Sequence, residues 1–227
     1  MKKLTKAIAL AGVMTAGMTA ATSTFAEEVE VSASATVASM YLWRGLDLGN
    51  GAAAVSGDLS VSMSGAYAGV WTSSGDSAAG NEYDLYIGYG GEVEDFSYDL
   101  SVWTYSYPTS PDDADTPEDE SQGNTFSLTD AILSLGYMGA SFSYYYPLSS
   151  NPSDYSYMTL GYGYDKYSAT VGMTSSDDDT DYTHLDLSYA YNDSLAFTLS
   201  KVVDQETDDA VDDDVKVVVS YSLPISM

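Results

Sequence analysis

Residues 29–37 read Val-Glu-Val-Ser-Ala-Ser-Ala-Thr-Val, an unbroken alternation of apolar and polar side chains. Because successive side chains of a β-strand point to opposite faces, this period of two predicts a strand with one apolar and one polar face. Ten further segments between residues 55 and 223 show the same alternation, with Ser, Gly, Thr or Asp at most polar positions. With the less regular segment 66–74, the sequence predicts twelve strands.

The connections between these strands alternate in length. Short ones fall near 64–65, 91–95, 138–140, 165–166 and 192–193, and long ones near 45–52, 75–81, 107–124, 148–154, 175–181 and 204–213. A soluble sandwich has no reason to sort its connections in this way, whereas outer-membrane barrels combine an even strand count with short periplasmic turns and longer outer loops. The long connections hold more than half of the acidic residues and no Lys or Arg. We therefore predict an all-β fold, a transmembrane antiparallel β-barrel with short periplasmic turns and longer acidic outer loops.

The N-terminus carries the signal for export. Lys2, Lys3 and Lys6 precede an uncharged run that ends Thr24-Phe25-Ala26, with small residues at the positions that a signal peptidase reads. Residues 1–26 are therefore predicted to be a removed signal peptide, and residues 27–227 a single barrel domain. Beyond residue 26 no segment approaches the roughly 18 consecutive apolar residues of a membrane helix. The predicted location is the outer membrane of a Gram-negative bacterium, with its lipid as a partner.

Composition narrows the possible functions. The 227 residues include 34 Asp and Glu against 7 Lys and Arg, a formal net charge of −27, and contain no Cys. Nucleic acid is excluded as a partner because its binding depends on Lys and Arg that neutralise phosphates. Disulfides, thiolate metal sites and a Cys nucleophile are excluded as well. Tyr outnumbers Phe by 21 to 5, which suits a membrane interface, where the ring is apolar and the hydroxyl is hydrated.

One segment resembles a known family. Residues 38–46 read Ala-Ser-Met-Tyr-Leu-Trp-Arg-Gly-Leu, followed by Gly-Asp-Leu at 57–59 and Ala-Tyr-Ala-Gly-Val-Trp-Thr-Ser at 66–73. This resembles the TorF-type porin family of proteobacteria, whose pattern is A-S-x-Y-L-x-R-G, a loop, and then Y-A-G-x-W. The motif match covers mainly residues 29–74. The resemblance implies an outer-membrane barrel that forms a pore.

The polar parity of the strands predicts the wall of that pore. Its charged members are predicted to line the lumen: Arg44, Asp58, Asp84, Asp99, Asp130, His184, Asp186 and Lys216. Five carboxylates outnumber two bases, and an excess of negative charge in a lumen favours cations. Bulky inward side chains predict a narrow channel: Tyr86, Trp103, Tyr105, Tyr155 and Tyr157. The alternative is that the Asp residues pair with Arg44, Lys216 or Ser hydroxyls and only stiffen a polar interior.

The predicted function is a porin for passive diffusion of small solutes, with cation-preferring ion transport through a narrow lumen. One alternative is a non-conducting surface barrel whose acidic loops serve adhesion or shielding. A barrel hydrolase built on His184 and Asp186 ranks third, because the chain has no G-x-S-x-G, S-x-x-K or H-E-x-x-H motif, and no enzyme activity is predicted. No cofactor or dedicated metal site is predicted. The acidic run 177–181 lacks the Gly and distant Glu of an EF-hand, so we expect only diffuse attraction of Mg²⁺ or Ca²⁺.

Overall fold

The computed structural model describes residues 29–108, 128–149 and 151–225. The predicted signal peptide and most of the predicted loop 107–124 lie outside these ranges. The described strands are β1 (Glu30–Ala38), β2 (Leu42–Trp43), β3 (Leu46–Asp47), β4 (Ala54–Met63), β5 (Ala66–Asp76), β6 (Gly80–Val93), β7 (Phe96–Ser106), β8 (Leu128–Tyr137), β9 (Ala140–Pro147), β10 (Ser156–Tyr164), β11 (Tyr167–Ser175), β12 (Tyr182–Ala190), β13 (Leu195–Gln205) and β14 (Lys216–Ile225).

Twelve of these strands form one closed antiparallel barrel, which confirms the predicted all-β barrel and its strand number. Each barrel strand pairs with its neighbours in the chain, and β1 closes the ring by pairing with both β4 and β14. At the closure Val37 lies opposite Tyr221, and the hydroxyls of Thr36 and Ser222 are 2.8 Å apart. A closed ring leaves no barrel strand with an unpaired edge.

The alternation in sequence separates the two faces of the barrel. Large apolar side chains lie on the outer face, where Ile87 is 64% exposed and Leu100 is 59% exposed. Their polar neighbours along the same strands, such as Asp84 and Ser101, are buried on the inner face. The outer surface of the barrel is therefore apolar and its interior is polar.

No helix among the described residues is long and apolar enough to cross a membrane.

Five short connections lie at one end of the barrel, which we call the short-turn end. The turns predicted at 64–65 and 138–140 are confirmed, the second as residues 138–139, and in both turns the two residues have positive φ with Gly second. This is the type I′ geometry whose twist matches that of the flanking strands. Residues 94–95, 165–166 and 191–194 make the other three turns at this end.

The opposite end, which we call the long-loop end, carries the other connections. The predicted long connection 75–81 is wrong, because β5 continues to Asp76 and β6 begins at Gly80. Asp76 Oδ1 accepts hydrogen bonds from the N–H groups of Ala78 and Ala79 at 2.8 and 2.6 Å, and these bonds close a turn of three residues. Connection length therefore does not alternate strictly around the ring.

The first connection at the long-loop end folds into the barrel. β1 ends at Ala38, and β2 and β3 then form a two-stranded hairpin, residues 42–47, whose turn is Arg44-Gly45. Both turn residues have positive φ, +48° and +82°, so the turn is type I′. We call residues 42–47 the inward hairpin, because its turn contacts inner-face side chains of β8, β10 and β12.

Candidate functional site

Arg44, at the turn of the inward hairpin, is surrounded by aromatic rings. Its Cζ atom lies 4.2 Å from the ring centroid of Trp43, 4.6 Å from that of Tyr157, 5.2 Å from that of Tyr145 and 5.6 Å from that of Tyr155. A cation within about 6 Å of a ring face is attracted by the negative face of the ring. The four rings therefore form a cage for the guanidinium group.

A carboxylate completes this cage. Arg44 Nη2 lies 3.3 Å from Asp130 Oδ2, and Nη1 donates a hydrogen bond of 2.8 Å to the Tyr155 hydroxyl. Tyr105 donates a hydrogen bond of 3.3 Å to the same oxygen of Asp130. The side chains of Arg44 and Asp130 are only 8% and 11% exposed. The ion pair is therefore largely shielded from solvent, where removal of one partner leaves an uncompensated charge.

A second contact holds the inserted connection on β6, two strands away from Asp130 in the ring. The Tyr41 hydroxyl donates to Glu82 Oε2, and the Tyr107 hydroxyl donates to Glu82 Oε1 at 2.7 Å. Tyr41 and Glu82 are almost fully buried. Next to Glu82 on the inner face of β6 lies Asp84, whose buried Oδ1 has no hydrogen-bond partner among the described residues. The connection is thus attached at Glu82 on β6 and at Asp130 on β8.

His184 of β12 packs against the turn of the inward hairpin at Gly45. His184 Nε2 lies 2.7 Å from the Tyr157 hydroxyl, and Nδ1 lies 3.1 Å from Asp186 Oδ1. The neighbouring Tyr182 donates a hydrogen bond of 3.0 Å to the backbone carbonyl of Arg44. His184 is 1% exposed. These groups pack against the hairpin. Neither of the two partners of His184 is a serine, the nucleophile that a Ser-His-Asp hydrolase would need.

Two glycines make this close packing possible. A Cβ atom at Gly45 would lie 2.6 Å from the His184 Cβ atom. A Cβ atom at Gly172, on β11 between Tyr157 and His184, would lie 2.1 Å from His184 Nε2 and 2.4 Å from the Tyr157 hydroxyl. The hydrogen bond between Tyr157 of β10 and His184 of β12 therefore passes directly over Gly172.

Two further carboxylates lie closer to the short-turn end. Tyr86 donates to Asp58 Oδ2, and Tyr67 donates to Asp99 Oδ2, both at 2.7 Å. Each tyrosine reaches its carboxylate by crossing a glycine of the strand between them, Gly69 beneath Tyr86 and Gly88 beneath Tyr67. Neither Asp58 nor Asp99 has an ion pair with a base among the described residues, so their charges remain uncompensated.

Lys216 lies at the long-loop end of β14 and is buried. Its Nζ donates to the backbone carbonyls of Asp212 and Asp214 at 2.9 and 3.1 Å and lies 3.3 Å from Asp212 Oδ2. A hydrogen bond from the Asp214 N–H, together with Lys216, lowers the pKa of the Asp212 carboxyl below its ordinary value. Lys216 thus ties the loop 206–215 to the barrel.

The residues predicted to line the pore lie in four places. One group is assembled around the inward hairpin: Arg44, Asp130, His184 and Asp186. Asp58 and Asp99 lie closer to the short-turn end, each bound to a tyrosine, and Lys216 lies under the loop 206–215. Asp84 lies beside Glu82 on β6. Arg44 reaches the lumen from the turn of the inward hairpin and not from a barrel strand.

Four residues of this site were not among the predicted pore-lining residues: Tyr41, Glu82, Tyr145 and Tyr182. Glu82 continues the polar parity of Asp84 by one further position, so extending that strand toward residue 80 would have found it. Tyr145 and Tyr182 share the inward parity of β9 and β12, so the same argument would have placed them in the lumen. Tyr41 precedes the inward hairpin and had no such signal, because its role depends on a contact with the distant strand β6. Among the described residues, no group of three or more His, Asp or Glu side chains is arranged to hold a metal ion.

Comparison with protein families matches residues 21–219 to the family model described as a bacterial protein of unknown function, Gcw_chp. Comparison with curated proteins gives no match.

Proposed function

We propose that this chain, which belongs to the Gcw_chp family of bacterial proteins of unknown function, is an outer-membrane channel for passive diffusion of small solutes. The proposal is based on the geometry of the barrel. The proposed channel prefers cations and is narrowed by the inward hairpin. The resemblance of residues 38–73 to TorF-type porins supports the same proposal. A closed barrel of twelve strands is consistent with an outer-membrane protein.

The observation that carries the proposal is the distribution of polarity across the barrel wall. The outer face presents exposed Val, Leu, Ile, Phe and Tyr side chains on every barrel strand except β5. Water would be a poor solvent for so large an apolar surface, whereas lipid is a good one. Since the ring is closed, every barrel strand finds hydrogen-bond partners in its neighbours, as the hydrocarbon of a membrane requires.

The interior of the barrel supports a route for solutes. Ser34, Asp58 and Ser60, on the inner faces of β1 and β4, are partly exposed, so water reaches this side of the lumen. Toward the long-loop end, Tyr41 and His184 are buried around the inward hairpin. The narrowest part of the proposed channel is therefore at the level of the hairpin.

The charges that remain unpaired favour cations. Asp130 is paired with Arg44, and Lys216 lies against Asp212. Asp58, which is partly exposed, and Asp99, which is buried, accept hydrogen bonds from the hydroxyls of Tyr86 and Tyr67 and have no ion pair with a base among the described residues. Carboxylates without bases in a confined, partly hydrated lumen attract cations at short range. We therefore assign the proposed cation preference to Asp58 and Asp99.

Currents through the purified protein in planar bilayers test this proposal. We expect cation-selective currents, and we expect the double variant D58N/D99N to lower the ratio of cation to anion permeability on the order of a few-fold. The effect should persist at 1 M KCl, where charges beyond about 3 Å are screened. The measurement is the reversal potential in a KCl gradient.

The matched control is D95N/D193N, which removes two exposed carboxylates from the short-turn end. It should leave selectivity at 1 M KCl unchanged. Equal effects of the two double variants would contradict a lumen filter. The buried inward hairpin specifically favours one alternative, a barrel that does not conduct. Absence of current from protein that still shifts its mobility on heating in SDS would establish that alternative.

Membrane topology is tested with cysteines, because the chain has none of its own. Asp208, at the long-loop end, and Asp193, at the short-turn end, are both exposed. In whole cells we expect a membrane-impermeant maleimide to label D208C and to leave D193C unlabelled. Both variants should be labelled after the outer membrane is permeabilised. Labelling of D193C alone in intact cells would reverse the proposed orientation, and labelling of neither variant would argue against surface exposure.

A further inference from the structure

Most of the cage around Arg44 belongs to the barrel and its rim. Tyr145 lies on β9, Tyr157 on β10 and Asp130 on β8, whereas Tyr155 directly precedes β10. The hairpin contributes Trp43 and the guanidinium itself. Without the hairpin, three aromatic rings and one carboxylate would still converge on one point of the lumen. That set of groups has the chemistry of a receptor for an organic cation.

We propose that this barrel-borne set is a binding site for solutes that carry a guanidinium group, and that Arg44 occupies it as an internal ligand. The proposal deepens the proposed channel function, on which it rests, by naming the class of solute. A planar group is favoured over an ammonium ion because two different nitrogens of Arg44 are bound in different directions. Nη1 donates to Tyr155 and Nη2 lies against Asp130.

The burial of Asp130 supports selection of positively charged solutes by this site. Within the described part of the chain, Asp130 accepts one hydrogen bond from a neutral donor, Tyr105, and its other partner is Arg44. When Arg44 leaves, the carboxylate faces a lumen wall of tyrosine rings without a base. A cation that enters in its place restores the ion pair and the contacts with the rings.

Competition with Arg44 sets the affinity that can be observed. Arg44 is tethered beside the site, so its effective concentration is on the order of millimolar or higher. A free guanidinium solute must displace it in the wild type but meets no competitor when Arg44 is absent. Binding to an Arg44→Ala variant therefore reports the site directly, and binding to the wild type reports displacement of the hairpin.

The test is a titration of purified, detergent-solubilised full-length protein with methylguanidinium, followed by intrinsic fluorescence and calorimetry. We expect R44A to bind methylguanidinium at least about tenfold more tightly than either the wild type or R44A/D130N does. Tetramethylammonium, which cannot donate hydrogen bonds, should bind R44A more weakly than methylguanidinium. Mobility in unheated SDS verifies that each variant is folded. If R44A does not fold, R44Q replaces it, because the amide keeps a polar group beside Asp130.

Absence of binding to folded R44A or R44Q, or equal binding with and without Asp130, would overturn the site. L-arginine and an arginine-containing tripeptide, titrated in the same way, distinguish a free solute from a peptide as the source of the guanidinium group. The binding assay needs no current. Binding without conductance would refute the channel and keep the site, and conductance without binding would do the reverse.

Discussion

Replacement of residues 42–47 by a short Gly-Ser link is expected to raise the single-channel conductance several-fold. The inward hairpin brings Trp43 and Arg44 into the lumen, where the side chain of Arg44 is almost completely buried. Its removal vacates the space between β8, β10 and β12. The strands of the barrel pair with each other independently of the hairpin, so the ring should remain closed. Single-channel currents in planar bilayers measure the effect.

The control for this experiment replaces residues 177–180, which are exposed in the loop between β11 and β12. It alters a loop of the same end without touching the lumen, and the conductance should not change. If removal of the hairpin also leaves the conductance unchanged, the constriction lies elsewhere. The next candidate is the cluster of Tyr86, Trp103 and Ile132, in which the rings of Tyr86 and Trp103 stack at 4.2 Å.

The second large effect is expected from Gly172→Ala. The added methyl group would overlap both His184 Nε2 and the Tyr157 hydroxyl, so the hydrogen bond between these groups must break or β11 must shift. Overpacking and loss of a buried hydrogen bond together should cost about 2–4 kcal/mol of unfolding free energy. The measurement is denaturant unfolding in detergent micelles. Tyr157→Phe, which removes the hydrogen bond without a clash, should cost only about 1 kcal/mol.

Gly57→Ala is the matched control for Gly172. The nearest atoms to an added Cβ at Gly57 are the Ser34 carbonyl oxygen at 3.6 Å and Thr72 Cγ2 at 3.9 Å, which are ordinary contacts. We expect G57A to change stability by no more than about 0.5 kcal/mol. Similar losses in G57A and G172A would mean that the cost comes from strand glycines in general, and the specific contact over Gly172 would lose its support.

The fold was predictable because its signals are local. Alternation such as that of residues 29–37 specifies a strand with two unlike faces, and Gly65 and Gly139 mark two-residue turns with positive φ. Neither signal depends on what lies across the barrel. The turn 77–79 was harder, because its shortness depends on one carboxylate, that of Asp76, binding two backbone N–H groups.

The site was only partly predictable because its contacts are distant in sequence. Asp130 was expected in the lumen from its parity, but its partner Arg44 is 86 positions away. Tyr41 and Glu82 are 41 positions apart. The dipeptide Arg44-Gly45 could have indicated a hairpin, since Gly suits the second position of a type I′ turn. No local sequence pattern indicates that this hairpin enters the barrel instead of facing solvent.

The pairing of β1 with β14 also determines when the barrel can close. The hydroxyls of Thr36 and Ser222 that meet there are separated by 186 positions, nearly the whole described chain. During synthesis β1 emerges before the other barrel strands, and the ring cannot form until β14 has been made. A product cut short before Lys216 would keep β1 and β13 as two open edges. Such edges recruit other strands, so truncation is expected to yield aggregates for proteases to clear instead of a smaller barrel.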